Sequence, residues 1–350
     1  MVELPTEGLT ERAIYDLYES QSEPARAYLG GSQIGESCER FLFYSFRWAF
    51  SQKFEGRILR LFETGHREET RVIENLKAIG CTVHEKDANG DQFRYTDHAG
   101  HYSGGLDGVV LELPEAPKTW HLLEVKTHNK KSFAALKKHG VEKSKPKHFA
   151  QCQSYMRMAK LKRAVYIGIC KDTDTIYVKR IKYEPKKSKA IHTKALRIIE
   201  SKTPLEKISQ DPDWFECKWC PAKDQCHGDQ VADVNCRTCV HATPELDGKA
   251  RWTCARYDCD IPEDNQRKGC ENHLHIPELI PYATPIDAGD DWIKYQMADG
   301  REFVECARDG FPADKSSHYS SKELAAIHPN AIGNETVDAA RNILGGEVIG

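Results

Sequence analysis

Eight of the thirteen cysteines of this 350-residue chain fall between Pro212 and His275, in a stretch with little apolar periodicity. The N-terminus lacks a basic region followed by an apolar run, so nothing marks the chain for secretion and the cytoplasm is the expected compartment. Thiols clustered in a reducing compartment read as metal ligands before disulfides. Cys217-x2-Cys220-x5-Cys226 sets three thiolates in one loop, and Cys38, at the start of a helical pattern over 37–50, is the expected fourth ligand. Four such thiolates suit zinc or an iron-sulfur cluster equally. Cys38 has the alternative of a small buried hydrophobe. A second group, Cys236, Cys239, Cys254 and Cys270, has the composition of a zinc ribbon or knuckle, with Cys259, His241, His273 and His275 as spare ligands. Its expected role is structural, metal supplying much of the folding free energy of so polar a segment. Cys81, Cys152, Cys170 and Cys306 are isolated and expected as packed thiols.

The chain is long enough to bury a full core. Hydrophobic residues at 39% and charged residues at 29% exclude a membrane-embedded chain, and no apolar run approaches a membrane span. A net charge of -3 excludes a nonspecific DNA-coating protein, so any nucleic-acid contact must be local. Helical patterns cover 10–20, 37–50 and 55–79, the last ended by Gly80. From 81 to 125, alternating segments with Gly-rich breaks predict an antiparallel meander. Helices follow near 132–139 and 146–160, strands at 165–170 and 175–181, and a helix at 186–200. The last 75 residues predict a strand pair at 292–296 and 302–306 and a short helix near 321–327.

Chemistry concentrates in two strand-like segments, Gly104-Gly105-Leu106-Asp107-Gly108 and Leu122-Leu123-Glu124-Val125-Lys126. Side chains alternate along a strand, so Glu124 and Lys126 share a face while Val125 packs behind. Phosphodiester hydrolysis needs a divalent metal to neutralise charge and acidify a water. Asp107 and Glu124 offer the hard oxygen ligands that suit Mg2+ or Mn2+, and Lys126 beside them is placed to orient or deprotonate the water. In the 55–79 helix the stripe Leu59, Phe62, His66, Glu69, Ile73, Leu76 carries two polar members, which nominates His66 and Glu69 for the same site; Glu68 lies off the stripe. His66, Asp107, Glu124 and Val125 form the expected metal-ligand set. Gln151 and Tyr155, at i and i+4 of the 146–160 helix, offer an amide and a phenol for phosphate or base contact. Taken singly, each motif also reads as a β-turn or a surface strand pair; their ordered co-occurrence favours catalysis.

In that order these residues resemble the RecB-like branch of the PD-(D/E)XK nucleases, where a helical His, an Asp, an (Asp/Glu)-x-Lys strand and a Gln-x3-Tyr helix recur. The resemblance covers about 60–185, and the fragments around Gly65-His66, Gly104-Asp107, Glu124-Lys126 and Lys145-Tyr155 look like phage-encoded exonucleases of the branch. Leu106 stands where the family usually has Pro. One distant cysteine plus a terminal triple resembles its iron-sulfur members. The resemblance implies an α/β fold, a mixed sheet flanked by helices with a cysteine-rich metal-binding appendage. It further implies a 4Fe-4S cluster at the first cysteine group, DNA as substrate, exonuclease action in phage or bacterial recombination or repair, and a single-strand annealing or recombination protein as partner.

Lys130, Lys131, Lys137, Lys138, Lys143, Lys145 and Lys147, set against Glu142 alone, form a basic face beside the catalytic strand or a solvated loop. Three units are expected: a nuclease domain over 1–230 closed by the first cysteine group, a zinc-type module over 231–276, and a small extension over 277–350. An endonuclease of the same fold and a noncatalytic iron-sulfur or zinc DNA-binding module are the rival readings; the intact Asp107, Glu124 and Lys126 argue against the second.

Overall fold

The computed structural model describes residues 8–344 and residue 348. In chain order the elements are α1 (Leu9–Ser20), β1 (Leu29–Gly30), α2 (Glu39–Phe46), α3 (Gly56–Ala78), β2 (Thr82–His84), β3 (Arg94–Asp97), β4 (Tyr102–Gly105), β5 (Gly108–Leu111), β6 (His121–His128), α4 (Lys130–Ser144), α5 (Pro146–Met158), β7 (Arg163–Cys170), β8 (Thr175–Lys182) and α6 (Pro185–Glu200). Next come α7 (Lys223–His227), β9 (Ala242–Pro244), β10 (Trp252–Cys254), β11 (Cys259–Asp260) and α8 (Glu263–Lys268). The chain closes with β12 (Ala283–Ala288), β13 (Trp292–Met297), β14 (Glu302–Cys306), β15 (His318–Tyr319), α9 (Ser321–Ala326) and α10 (Glu335–Leu344).

The central sheet is mixed, in the order β2-β5-β6-β7-β8. Its pairs are antiparallel except β6 with β7, which are parallel. Parallel neighbours need a long crossover, and α4 and α5 supply it. Local chemistry starts both helices: the Asn129 side chain accepts from Ser132 N at 2.8 Å to cap α4, and Pro146 opens α5 where its missing N–H costs nothing. On one sheet face Leu123 and Val125 pack with Val72, Ile73 and Leu76 of α3. On the other, Leu122 and Tyr166 pack with Phe133 and Leu136 of α4 and Cys152, Tyr155 and Met156 of α5.

The stretch 81–125 is not one meander. β3 and β4 leave the central sheet and form a second one with β1, which pairs in parallel with β4 through Leu29 with Tyr102 and Gly30 with Ser103. The partner comes from seventy residues upstream, so no alternation within 81–125 carries that pairing. The C-terminal region also holds more than a strand pair: β12, β13, β14 and β15 make a four-stranded sheet, with α9 and α10 beyond.

Nor does the core break at residue 230. Trp252, fully buried, sits in one cluster with Leu42, Phe43, Phe46, Ile198, Ala242 and Ile276, its ring 5.5 Å from that of Phe46. Hydrogen bonds cross the same line: Arg47 Nη1 donates to Arg237 O at 2.9 Å and Arg237 Nη1 to Phe46 O at 3.0 Å. The C-terminal sheet is tied on by a buried group in which Glu305 accepts from His275 Nδ1 at 2.7 Å and Ser321 Oγ at 2.6 Å. Among the described residues, no helix is long and apolar enough to cross a membrane.

Because Trp252 belongs to the core of α2 and α6, Trp252→Ala should cost about 3–5 kcal/mol and lower the urea midpoint of the N-terminal helices as well as of residues 231–276. Hydrogen exchange that quickened in 231–276 alone would show two independent units instead.

Candidate active site

Strand β6 is a buried apolar strand broken by charge, and its alternation fixes where the charges go. Glu124 is 1% exposed, flanked on its own face by Leu122 and Lys126, while Val125 turns to α3. Lys126 Nζ forms a short ion pair with Glu124 Oε1 and lies 3.8 Å from Asp107 Oδ2. Asp107 enters from the loop before β5. Its Oδ2 accepts from Val125 N at 2.8 Å, which pins the carboxylate to β6 just past the Gly108–Leu123 pair that ends the β5–β6 ladder. Gly108 makes that approach possible: its φ is +154°, and a Cβ there would stand 2.9 Å from His84 O.

From the other faces come Glu69 and Tyr155. Burial, then the charge of Asp107, push Glu69 up to about 7, against the lowering pull of Lys126. Burial and the nearby Glu124 charge raise the Tyr155 phenol well above its ordinary value. A Cβ on Gly104 would meet the Tyr155 ring at 2.3 Å, so only glycine admits this ring beside β4. Gln151 is buried one turn earlier on α5. The sequence-nominated Asp107, Glu124, Lys126, Glu69 and Tyr155 thus gather at one place.

His66 lies one turn before Glu69 on α3. It is exposed, and among the described residues its ring makes no hydrogen bond or ion pair. The expected stripe faces the core only from Glu69 onward: Phe62 is 45% exposed, while Ile73 and Leu76 are buried. Glu68 is half-buried and pairs with Arg71 at 3.4 Å.

Burial pushes Glu124 up to about 8 even with Lys126 beside it. Burial works against the Lys126 ammonium too, but Glu124 and Asp107 overcome it and hold the lysine charged. So paired, Lys126 is a donor and a positive charge facing Glu124 and Asp107. Lys126 occupies Glu124 Oε1, while Glu124 Oε2 and Asp107 Oδ1 accept no hydrogen bond among the described residues. The Val125 carbonyl, 3.1 Å from Lys126 Nζ, is the one group of that residue able to face a cation. Unsatisfied hard oxygens of this kind fit a divalent cation.

Sequence reasoning missed a layer behind Lys126. Tyr166, paired with Glu124 across the parallel ladder, bonds through its hydroxyl to His128 Nε2 and His148 Nδ1, both at 2.8 Å. Ser132 Oγ links His128 to Lys145, at 3.1 and 2.6 Å. Burial, helped by neighbouring lysines, pushes His128 down to about 4 and His148 to about 3, so both are neutral. A polar Tyr166 in an apolar strand, and His128 two residues beyond Lys126 on the same face, were the available signals. Of the seven lysines, Lys145 is half-buried in this layer and the other six are exposed; Lys147 pairs with Glu36 at 2.5 Å.

Cys38, Cys217, Cys220 and Cys226 line one cavity with Phe41 and Tyr44. Cys236, Cys239, Cys254 and Cys270 line another with His241 and His273. His275 is turned away to Glu305, and Cys259 is exposed on β11. Cys81, Cys152, Cys170 and Cys306 are buried thiols.

The folded chain keeps Glu69 protonated to about pH 7, whereas an unfolded glutamate ionises near pH 4.3. Folding takes up a proton between those values, so stability in chelator should fall as pH rises from about 5 to about 8. In Glu69→Gln this fall should shrink by on the order of 1–2 kcal/mol. Identical urea-denaturation profiles for the two proteins at pH 5, 6.5 and 8 would rule out this placement of Glu69.

No family model and no curated protein sequence matches the chain. Similar solved structures include the crystal structure of SSO0001, at 15% identity and a TM-score of 0.37, covering 61% of this chain and 95% of that one. Another is an alkaline exonuclease, LHK-Exo, from Laribacter hongkongensis, at 16% identity, a TM-score of 0.34, and coverage of 52% and 90%. LHK-Exo in complex with dAMP matches at 14% identity, a TM-score of 0.35, and coverage of 53% and 90%.

Proposed function

We propose that this chain is a metal-dependent deoxyribonuclease of the PD-(D/E)XK type, RecB-like branch, acting as an exonuclease on DNA ends in recombination or repair. The observation that carries the reading is the buried Glu124 carboxylate, ion-paired through Oε1 with Lys126 and set beside Asp107 on the same face of the sheet. Such an arrangement costs stability in a protein that has no use for it.

Asp107, Glu124 and the Val125 carbonyl are the groups that would hold Mg2+ or Mn2+, and Glu69 stands behind Asp107. A divalent cation there supplies neutralisation of phosphate charge and a water acid enough to attack at neutral pH. The chain's own groups do the rest. Lys126 presents its ammonium to a scissile phosphate oxygen and offers a donor that orients the water. Neutral His128 and His148 hold the Tyr166 hydroxyl against this lysine from behind. Tyr155 and Gln151 on α5 are placed to contact the phosphate or the terminal base. The exposed Lys130, Lys131, Lys137, Lys138 and Lys143 neutralise backbone phosphates leading to the cleft. His66, exposed one turn before Glu69, is the histidine that the resemblance adds to this ligand set. A single-strand annealing or recombination protein is the partner this activity would serve.

The first cysteine group is assigned a 4Fe-4S cluster. Cys38 and the Cys217-x2-Cys220-x5-Cys226 triple line one cavity, and that pattern resembles the iron-sulfur members of the branch. Its place, between Cys38 at the head of α2 and the loop after α6, staples the N-terminal helix to the end of the nuclease core.

With Mg2+ or Mn2+, the protein should release nucleotides from end-labelled linear duplex and leave closed circular DNA intact. Asp107→Ala should lower cleavage by at least about a thousandfold while DNA binding stays within a few fold. Nicking of the circle would convert the assignment to an endonuclease. Unchanged cleavage by Asp107→Ala would remove the site assignment itself.

A further inference from the structure

We infer that Asp97, His98 and His192 form a binding site for a divalent ion of the zinc class, separate from the carboxylate site and from both cysteine groups. One donor atom of each lies within 4.8 Å of the others. The three come from different elements: Asp97 ends β3, His98 begins the turn before β4, and His192 belongs to α6. Two imidazoles and a carboxylate are a donor set of open zinc sites, which take three protein ligands and keep a fourth position for water. The Asp97 side chain is 37% exposed and that of His98 14%, so an ion has a route in from solvent. His192 is buried.

Hydrogen bonds fix which nitrogens face the ion. His98 Nε2 lies 2.9 Å from the His192 carbonyl, which can only accept, so Nε2 carries the proton and Nδ1 of the neutral ring is a bare lone pair. That lone pair stands 4.0 Å from Asp97 Oδ1, and two acceptors so placed suit a cation. An imidazole whose far N–H is held by a backbone carbonyl is oriented as metal-bound histidines are. On His192, Nδ1 meets Asp97 Oδ2 at 2.7 Å and Nε2 meets Ser154 Oγ at 3.1 Å. An ion on Nδ1 sends that proton to Nε2, where Ser154 Oγ accepts it and donates in turn to the Tyr102 hydroxyl at 2.6 Å. The ring stays neutral and no proton leaves the protein. His98 and Ala99 both hold left-handed φ, +48° and +57°, which residues with a Cβ seldom adopt in succession. The turn is fastened by His98 N, which donates to Asp97 Oδ1 at 2.8 Å. The other close group, His273, His275 and Glu305, differs on each count: it is fully buried, and its ring nitrogens are already taken.

The inference stands apart from the nuclease reading, and its test counts metal, not cleavage. Full-length wild type, His98→Ala and Asp97→Asn are equilibrated with zinc sulfate, desalted and assayed for zinc and iron per chain. Melting temperatures are read with and without added zinc. The expected result is one zinc fewer in each variant than in the wild type at equal iron, and a zinc-dependent rise in wild-type Tm that both variants lose. Equal zinc in all three proteins overturns the site, even where the variants are less stable, because a turn held by hydrogen bonds alone gives that result. If neither variant accumulates, cobalt titration of the wild type decides. A d–d band gained without thiolate charge transfer supports nitrogen and oxygen ligation. Cobalt uptake seen only through a sulfur charge-transfer band, or no uptake, overturns it.

Discussion

A carboxylate inside a β-sheet is tolerable only with a positive charge beside it, and for Glu124 that charge is Lys126 two residues on. Alternation on β6 puts the two on one face and hands Val125 to the opposite core. Much of the surrounding structure serves this pair. Asp107 is pinned by the Val125 amide, Tyr166 stands beside Glu124 on the parallel neighbour, and α4 and α5 exist as the crossover that parallel pairing demands. The glycines at 104 and 108 keep the approach open for Tyr155 and Asp107.

A second dependence runs through Trp252. Its ring lies among aromatic and aliphatic residues of α2 and α6, so the cysteine-rich stretch does not rest on metal alone. Arg47 and Arg237 reach across the same seam to main-chain carbonyls on the far side. Cys220, Cys226, Cys236 and Cys254 all pack against this one core, which places both cysteine cavities on a common support. Farther along, the buried His275, Glu305 and Ser321 join the last sheet to the rest.

The helices and the paired strands 163–170 and 175–182 were legible because their apolar periods and Pro or Asn start signals are local. The pairing of β1 with β4 was not, since its two halves are separated by α2 and α3. His66 shows the limit of a helical stripe. Spacing says which residues share a line along α3, but not which of them the neighbouring elements cover: His66 is exposed while Ile73 and Leu76 are buried. The His128, Tyr166 and His148 layer was hidden for a similar reason: each member looks ordinary until the ladder and α5 bring the three together.

The sequence by itself determined the chemistry on offer: two carboxylates and a lysine on strand segments, a Gln-x3-Tyr helix, and cysteines grouped as two sets of four. Those facts follow from side-chain identity and from periods of 2 and 3.6, which need no neighbour. The tertiary structure alone decided burial and distance. It decided that Glu124 is buried beside Lys126, that Glu69 is half-buried while His66 is exposed, and that each set of four cysteines lines one cavity. It also decided that no core boundary falls at residue 230, because desolvation and charge coupling depend on what packs against a residue, not on what precedes it in the chain.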